Sequence, residues 1–143
     1  MVTVTTEIDM GHLATLQHQR AIKRLIVGLD KLYEQGQITL EALPETDIDP
    51  GNPDSKCPDI ILRDNARQMV PVIIEVATHF GANTDLKKLR NLIHDTEYGI
   101  EEGFVYDFEK GIWLKYSKNK GVETESPSWS EILKVDLTGI LPG

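Results

Sequence analysis

One apolar segment in the middle of the chain constrains the fold more than any other feature. Residues 70–76 read Val-Pro-Val-Ile-Ile-Glu-Val, almost continuously apolar and rich in β-branched side chains. A strand with this pattern is typical of a sheet covered on both faces, because a strand with one wet face alternates apolar and polar residues. Pro71 stands near its start, where a missing N–H is tolerated. The segment predicts a central strand with other elements packed on both sides of the sheet.

Two segments with helical periodicity can supply those covering layers. The first runs from about Met10 to Gln35, with Asp9 as its expected N-cap and Gly36 as its expected stop. The second runs from about Thr84 to Glu97. The apolar residues of each recur at three- and four-residue steps, which places them on one stripe. The stripes are Leu13, Leu16, Ile22, Leu25, Ile26, Leu29, Leu32 and Tyr33 on the first helix, and Leu86, Leu89, Leu92 and Ile93 on the second.

The remaining apolar segments predict further strands. Asp59 to Arg63 is expected to pair with the central strand through a short hairpin linker at Asp64 to Gln68. The other expected strands are Ile38 to Leu43, Phe104 to Phe108 and Ile112 to Tyr116, the last two joined by a turn at Glu109 to Gly111.

The other segments are rich in turn-forming and polar residues. Residues 44–56 are expected to form turns with a short strand at 47–49, and residues 117–127 a polar loop. Ser128 and Glu131 have the spacing of a capping box, which predicts a short helix near the C-terminus. Since no repeat or linker divides it, the chain 1–143 is predicted to be a single α/β (α+β) domain, with a mixed central sheet flanked by helices.

Composition limits the compartment and the class of partner. Cys57 is the single cysteine, which excludes an internal disulfide and favours a reducing interior. The N-terminal residues lack the basic and apolar regions of a secretion signal, and no apolar run could span a bilayer. We therefore expect a cytoplasmic protein with no membrane partner.

The charge balance argues against a protein that coats nucleic acid. The chain has a net charge of −8, whereas phosphate binding over a whole surface favours a basic protein. A local basic rim is still compatible with this balance. Basic residues cluster at Arg20, Lys23 and Arg24, and again at residues 87–90. Solvated charge on amphipathic helices is the favoured interpretation of both clusters.

The candidate chemistry centres on Glu75. A carboxylate at the end of an apolar strand is costly to bury unless something compensates its charge. If the hairpin centres near Arg67, Asp59 lies directly across from Glu75 on the same face. Two adjacent carboxylates favour either protonation of one or capture of a divalent cation, and Mg²⁺ or Mn²⁺ suits oxygen ligands. The alternative is that Glu75 pairs with a buried Lys or Arg while Asp59 caps a turn.

These residues resemble a known superfamily when they are taken in order. Pro58-Asp59, a gap of about fifteen residues and then Glu75-Val76 closing an apolar strand look like the PD-(D/E)XK nuclease superfamily. More narrowly, the chain is similar to a bacterial family of small standalone domains that are predicted restriction endonucleases. The further matching features are His18 in the first helix, Asp85 and Lys88 in the second, Gly99-Ile100, and the strand Phe104-Val105-Tyr106-Asp107. The resemblance covers about residues 12–116 and implies a restriction-endonuclease-like fold.

The resemblance also implies roles for particular residues. Asp59, Glu75 and the Val76 carbonyl would hold Mg²⁺ (or Mn²⁺), and a lysine would stabilise the charge that develops on the phosphate. The superfamily places that lysine two residues after the glutamate, where this chain has Ala77. Some branches supply it from the following helix. We therefore prefer Lys88, at the edge of the apolar stripe, to Lys87, which is expected to face solvent. The alternative for Lys88 is an ordinary exposed helix lysine or an i,i+3 partner of Asp85.

Three functions follow from this pattern. The first is a Mg²⁺-dependent endonuclease with DNA as its substrate. The second is a nuclease-fold protein that has lost catalysis and serves as a binding or regulatory module, favoured by Ala77 and the acidic charge. The third is a homodimer subunit with the strand pair 104–116 as its interface. His18 is interpreted as a histidine at the edge of the core rather than a ligand, and no partner is predicted for His79 or His94.

Overall fold

The computed structural model describes the backbone of residues 2–49 and 56–141, and the side chains of residues 15–49 and 56–141. The helices are α1 (Val2–Glu34) and α2 (Ala82–Asp95), with a 3₁₀ turn at Leu137–Ile140. The strands are β1 (Glu41–Pro44), β2 (Ile60–Asp64), β3 (Met69–Ala77), β4 (Glu102–Asp107), β5 (Ile112–Ser117), β6 (Gly121–Glu123), β7 (Trp129–Ser130) and β8 (Val135–Asp136).

Strands β1 to β6 form one mixed sheet in sequential order. The β3–β4 pair is parallel and every other neighbouring pair in it is antiparallel. A parallel pair needs a crossover connection, and α2 provides it. This arrangement confirms the prediction of a mixed central sheet flanked by helices.

The central strand β3 is buried on both faces, as its composition predicts. Val72 and Ile74 pack in the cluster that contains Leu25 and Leu29 of α1. Ile73 packs in the second cluster, with Leu89 of α2. The alternation along β3 therefore places Glu75, like Ile73, on the face covered by α2.

Helix α1 is longer than predicted at one end and stops as predicted at the other. It begins at Val2 rather than Met10, so Asp9 lies within the helix and is not its N-cap. Gly36 has a φ of +74°, and its N–H donates to the Tyr33 carbonyl at 3.0 Å. The next N–H, that of Gln37, donates to the Leu32 carbonyl at 2.8 Å. These two bonds form a Schellman motif, which a glycine at this position favours.

The predictions for the connecting segments were less accurate. The helix expected after Ser128 is absent, because Trp129–Ser130 pairs with Val135–Asp136 as a two-stranded ribbon. The Ser130 hydroxyl and the Glu131 N–H donate instead to the carboxylate of Glu102, at 2.6 and 2.8 Å. The predicted polar loop contains β6, and residues 47–49 form no strand. The rest of the expected turn region, residues 50–55, lies outside the described part.

The strand pair of the homodimer hypothesis, β4 and β5, lies inside the sheet, with β3 on one side and β6 on the other. Edge-to-edge pairing through it is therefore not available within the described sheet. No helix in the described ranges is both long and apolar enough to cross a bilayer.

Candidate active site

The register of β2 and β3 brings the two predicted carboxylates together. Ile60 lies opposite Ile74, so Asp59, the residue before β2, lies across from Glu75. The side chain of Asp59 is anchored there, because its Oδ2 accepts a hydrogen bond from the Val76 N–H at 2.8 Å. Asp59 therefore does more than cap a turn: it is fixed to the backbone of the strand that carries Glu75.

The Glu75 carboxylate occupies an unusual environment. It is 3% exposed, and its Oε1 accepts no hydrogen bond from the described residues. Burial and the neighbouring charge of Asp59 raise the Glu75 pKa to about 8, although Lys88 acts in the opposite direction. A strongly raised pKa caused by burial and a second carboxylate is typical of functional sites.

Lys88 approaches Glu75 from α2. Its Nζ lies 3.4 Å from Glu75 Oε1, and its side chain is 45% exposed. The approach is set by packing, because the next residue, Leu89, is fully buried against β4 and holds this turn of α2 over the sheet. The structure thus brings together Asp59, Glu75 and the lysine chosen from the sequence.

Asp85 and His18 border the same site. Burial raises the pKa of Asp85, while Lys88 lowers it and Asp59 raises it further. His18 Nε2 lies 3.4 Å from Asp59 Oδ2, and its ring packs edge-on against Phe108, with ring centroids 6.1 Å apart. The sequence interpretation of His18 as an edge-of-core histidine omitted this contact with Asp59. The histidine in the first helix of the family that the sequence resembles is a signal that could have drawn attention to His18, although it named no partner.

Two histidines have partners that were not predicted. His79 Nδ1 lies 2.7 Å from Asp107 Oδ2, and His94 Nε2 lies 2.8 Å from the Tyr116 hydroxyl. Asp107 is buried at the end of β4; burial opposes ionisation, but the hydrogen bonds from His79 and the following turn lower its pKa overall. Topology could have indicated the first pair, because parallel β3 and β4 end at the same edge of the sheet.

The oxygen atoms at the site come from two carboxylates and the main chain. Among the described residues, no three His, Cys, Asp or Glu side chains are grouped closely enough to hold a metal ion. A main-chain oxygen would therefore have to supplement the carboxylates. In a strand the N–H and C=O of one residue point the same way. Because the Val76 N–H reaches Asp59, the Val76 carbonyl is directed to that side of the strand too.

The fold resembles that of a solved bacterial structure. The crystal structure of a proposed nuclease belonging to DUF820 from Anabaena variabilis aligns with a TM-score of 0.63, over 87% of this chain and 79% of that one, at 16% sequence identity. No protein-family model matches the sequence, and no curated protein matches it. The likeness shows the fold: an α+β architecture with a six-stranded mixed sheet between two helices.

Proposed function

We propose that this protein is a metal-dependent endonuclease that hydrolyses DNA phosphodiester bonds, with Asp59, Glu75 and Lys88 at its active site. One observation carries the proposal: the buried Glu75 Oε1 has no hydrogen bond from the described residues, and both a second carboxylate and a lysine lie beside this side chain. An arrangement that served only to neutralise Glu75 would not need a second carboxylate beside it. The proposed nuclease with a similar fold supports the same class of chemistry.

The donor set suits Mg²⁺ or Mn²⁺. Mg²⁺ is commonly held by one or two carboxylates and keeps several waters, so a site with few protein ligands is sufficient. Asp59, Glu75 and the Val76 carbonyl would hold the cation. It would supply Lewis acidity toward a phosphate oxygen and lower the pKa of bound water. Loading would also require Glu75 to ionise, and the positive charge of the cation would offset the burial and the Asp59 charge that raise its pKa.

The chain's own residues have separable tasks in this proposal. The Val76 N–H fixes Asp59 Oδ2, which leaves Oδ1 directed away from that hydrogen bond. Lys88, half-exposed and close to Glu75, supplies positive charge at the mouth of the site, where negative charge develops on the phosphate. His18 beside Asp59 orients that carboxylate from α1.

A cleavage assay tests the proposal. Supercoiled and linear DNA would be incubated with the wild-type protein and Mg²⁺, Mn²⁺ or EDTA. We expect metal-dependent cleavage that Glu75→Gln abolishes and Lys88→Ala lowers by about a hundredfold, the usual value of one charge-stabilising donor. Lys118→Ala, at the opposite end of the sheet, is the matched control. Absence of cleavage together with absence of Glu75-dependent metal binding would refute the proposal.

The second candidate is a nuclease-fold protein without catalysis, acting as a binding or regulatory module. Ala77 favours it, because the superfamily's usual lysine is missing and Lys88 could serve only to compensate Glu75. Metal binding without cleavage would support this reading, whereas cleavage lost in Lys88→Ala would exclude it.

A cytoplasmic location and a homodimer remain proposals, the second tested by sedimentation at micromolar concentration.

A further inference from the structure

A groove runs along α2 away from the carboxylate pair. Its volume is about 540 Å³, and its walls include Lys56, Thr84, Lys87, Lys88 and Asn91, with Asp95 at its far end. The α2 residues follow helical spacing, so they form one stripe along the helix. From Thr84 to Asp95 this stripe is about 16 Å long, at about 1.5 Å per residue.

The charge of the groove is opposite to that of the whole protein. Three lysines face one aspartate in it, whereas the chain carries a net charge of −8. The Lys87 ammonium has no ion pair with a described carboxylate. Like charges that share a groove repel each other, so the arrangement favours an anionic occupant. Threonine and asparagine side chains between the lysines add neutral groups that can bond phosphate oxygens.

Both walls of the groove lead to the active site. On the α2 wall, Lys88 lines the groove and also lies 3.4 Å from Glu75 Oε1. On the other wall, Lys56 stands three residues before Asp59 in the chain. A polyanion lying along the groove would therefore place one of its phosphates beside the carboxylate pair.

We propose that this groove binds the phosphodiester backbone of one DNA strand and positions it for cleavage, an inference that rests on the proposed nuclease function. Lys56 and Lys87 contact phosphates beside the scissile one. A groove of this length accommodates a few consecutive phosphates of one strand. Such contacts bind without reading sequence, because they reach no base edge.

Binding without catalysis is the measurement that tests the groove. Fluorescence anisotropy of a short labelled oligonucleotide, single-stranded in one arm and double-stranded in the other, would be recorded in EDTA over a range of salt concentrations. The variants are Lys56→Gln, Lys87→Gln and the double variant. Lys118→Gln is the control. Lys118 directly follows Ser117, which pairs with Glu102 at the end of the sheet opposite to the end that carries Asp107. All three positions are exposed, so unchanged melting temperatures are expected.

Each phosphate contact contributes about 0.7 to 0.9 to the slope of log affinity against log salt. Between about 50 and 200 mM salt, the wild-type affinity should therefore fall about tenfold more than that of the double variant. In cleavage assays the double variant should raise KM and leave kcat nearly unchanged. The control should match the wild type in both experiments.

The outcomes separate this inference from the proposed function. If the wild type cleaves DNA but has the same KM and the same salt slope as the double variant, the proposed role of the groove is wrong and the proposed nuclease function is retained. If either oligonucleotide binds in a way that depends on Lys56 and Lys87 but no cleavage occurs, DNA binding by the groove is supported and the nuclease function is refuted. No binding of either oligonucleotide at low salt would overturn the groove regardless of cleavage.

Discussion

Replacing Glu75 by glutamine should make the protein more stable while it removes the proposed activity. Glutamine has nearly the same shape as glutamate but no charge to desolvate. In the wild type, burial and Asp59 raise the Glu75 pKa from 4.5 to about 8. At about 1.4 kcal/mol per pKa unit, the ionised carboxylate costs the folded state about 4–5 kcal/mol.

The sign of the pH dependence follows from proton binding. Between pH 4.5 and about 8 the folded state holds a proton on Glu75 that the unfolded state has released. Stability therefore falls as the pH rises through this range, in contrast to an ordinary salt-bridged carboxylate. From pH 5 to pH 8 the wild type should lose about 3 kcal/mol more than Glu75→Gln does.

Urea denaturation in EDTA, followed by the fluorescence of the buried Trp113, measures this difference. Glu34→Gln is the matched control, because Glu34 is exposed on α1 and its replacement should leave the wild-type pH dependence intact. Parallel curves of unfolding free energy against pH for the wild type and Glu75→Gln would refute the reasoning about Glu75. Divergence of the control from the wild type would assign the effect to general charge removal.

Three further changes test the packing and the site. Lys115→Ala should cost about 3–5 kcal/mol in urea denaturation, because it leaves the buried Glu102 carboxylate without the ammonium that lies 3.1 Å from it. It also removes the nearer of the two lysines that pair with the partly buried Glu123. Lys115→Met should cost less if packing dominates. Gly103→Val should lower both the melting temperature and the cleavage rate, because even a Cβ at this position would lie 3.0 Å from Leu89, the neighbour of Lys88. Gly103→Ala should have a smaller effect on both. Adding Ala77→Lys to the Lys88→Ala variant should raise its cleavage rate about tenfold. Residue 77 faces the same side of the strand as Glu75, so a lysine there would recover part of the roughly hundredfold contribution of one charge-stabilising donor. No recovery would indicate that the lysine must come from α2.

The parts of the fold that follow local rules were predictable from the sequence. The apolar run of β3 fixed its burial on both faces, and the glycine at residue 36 ended α1 where expected. The hairpin centred near Arg67 gave the register that places Asp59 opposite Glu75. Each of these depends on neighbours in the chain or on a pattern with one period.

The failures involve partners that are distant in sequence. The capping-box pattern at Ser128 predicted a helix, but Glu102, 29 residues before Glu131, takes the Glu131 N–H and the Ser130 hydroxyl proton. Lys115 adds to this by bonding the Trp129 carbonyl at 2.7 Å. The contact of His18 with Asp59 and that of His79 with Asp107 also join separate elements, so no local pattern encoded them.

The site itself was only half encoded by sequence. Asp59 and Glu75 followed from strand register, whereas Lys88 required the position of α2 over the sheet. That position depends on Leu89 fitting against Gly103, a contact that bridges α2 and β4. A pattern within α2 could place Lys88 at the edge of the apolar stripe, but not at 3.4 Å from Glu75.

Asp59 and Glu75 are the proposed ligands of the catalytic metal. Anomalous diffraction from crystals soaked in Mn²⁺ tests this assignment most directly, because the ion is located without reference to activity. We expect one strong peak at about 2.2 Å from a carboxylate oxygen of each residue, and its loss in Glu75→Gln crystals. Mn²⁺ peaks only at other sites, or no peak beside these two carboxylates at saturating Mn²⁺, would contradict this assignment of the metal ligands.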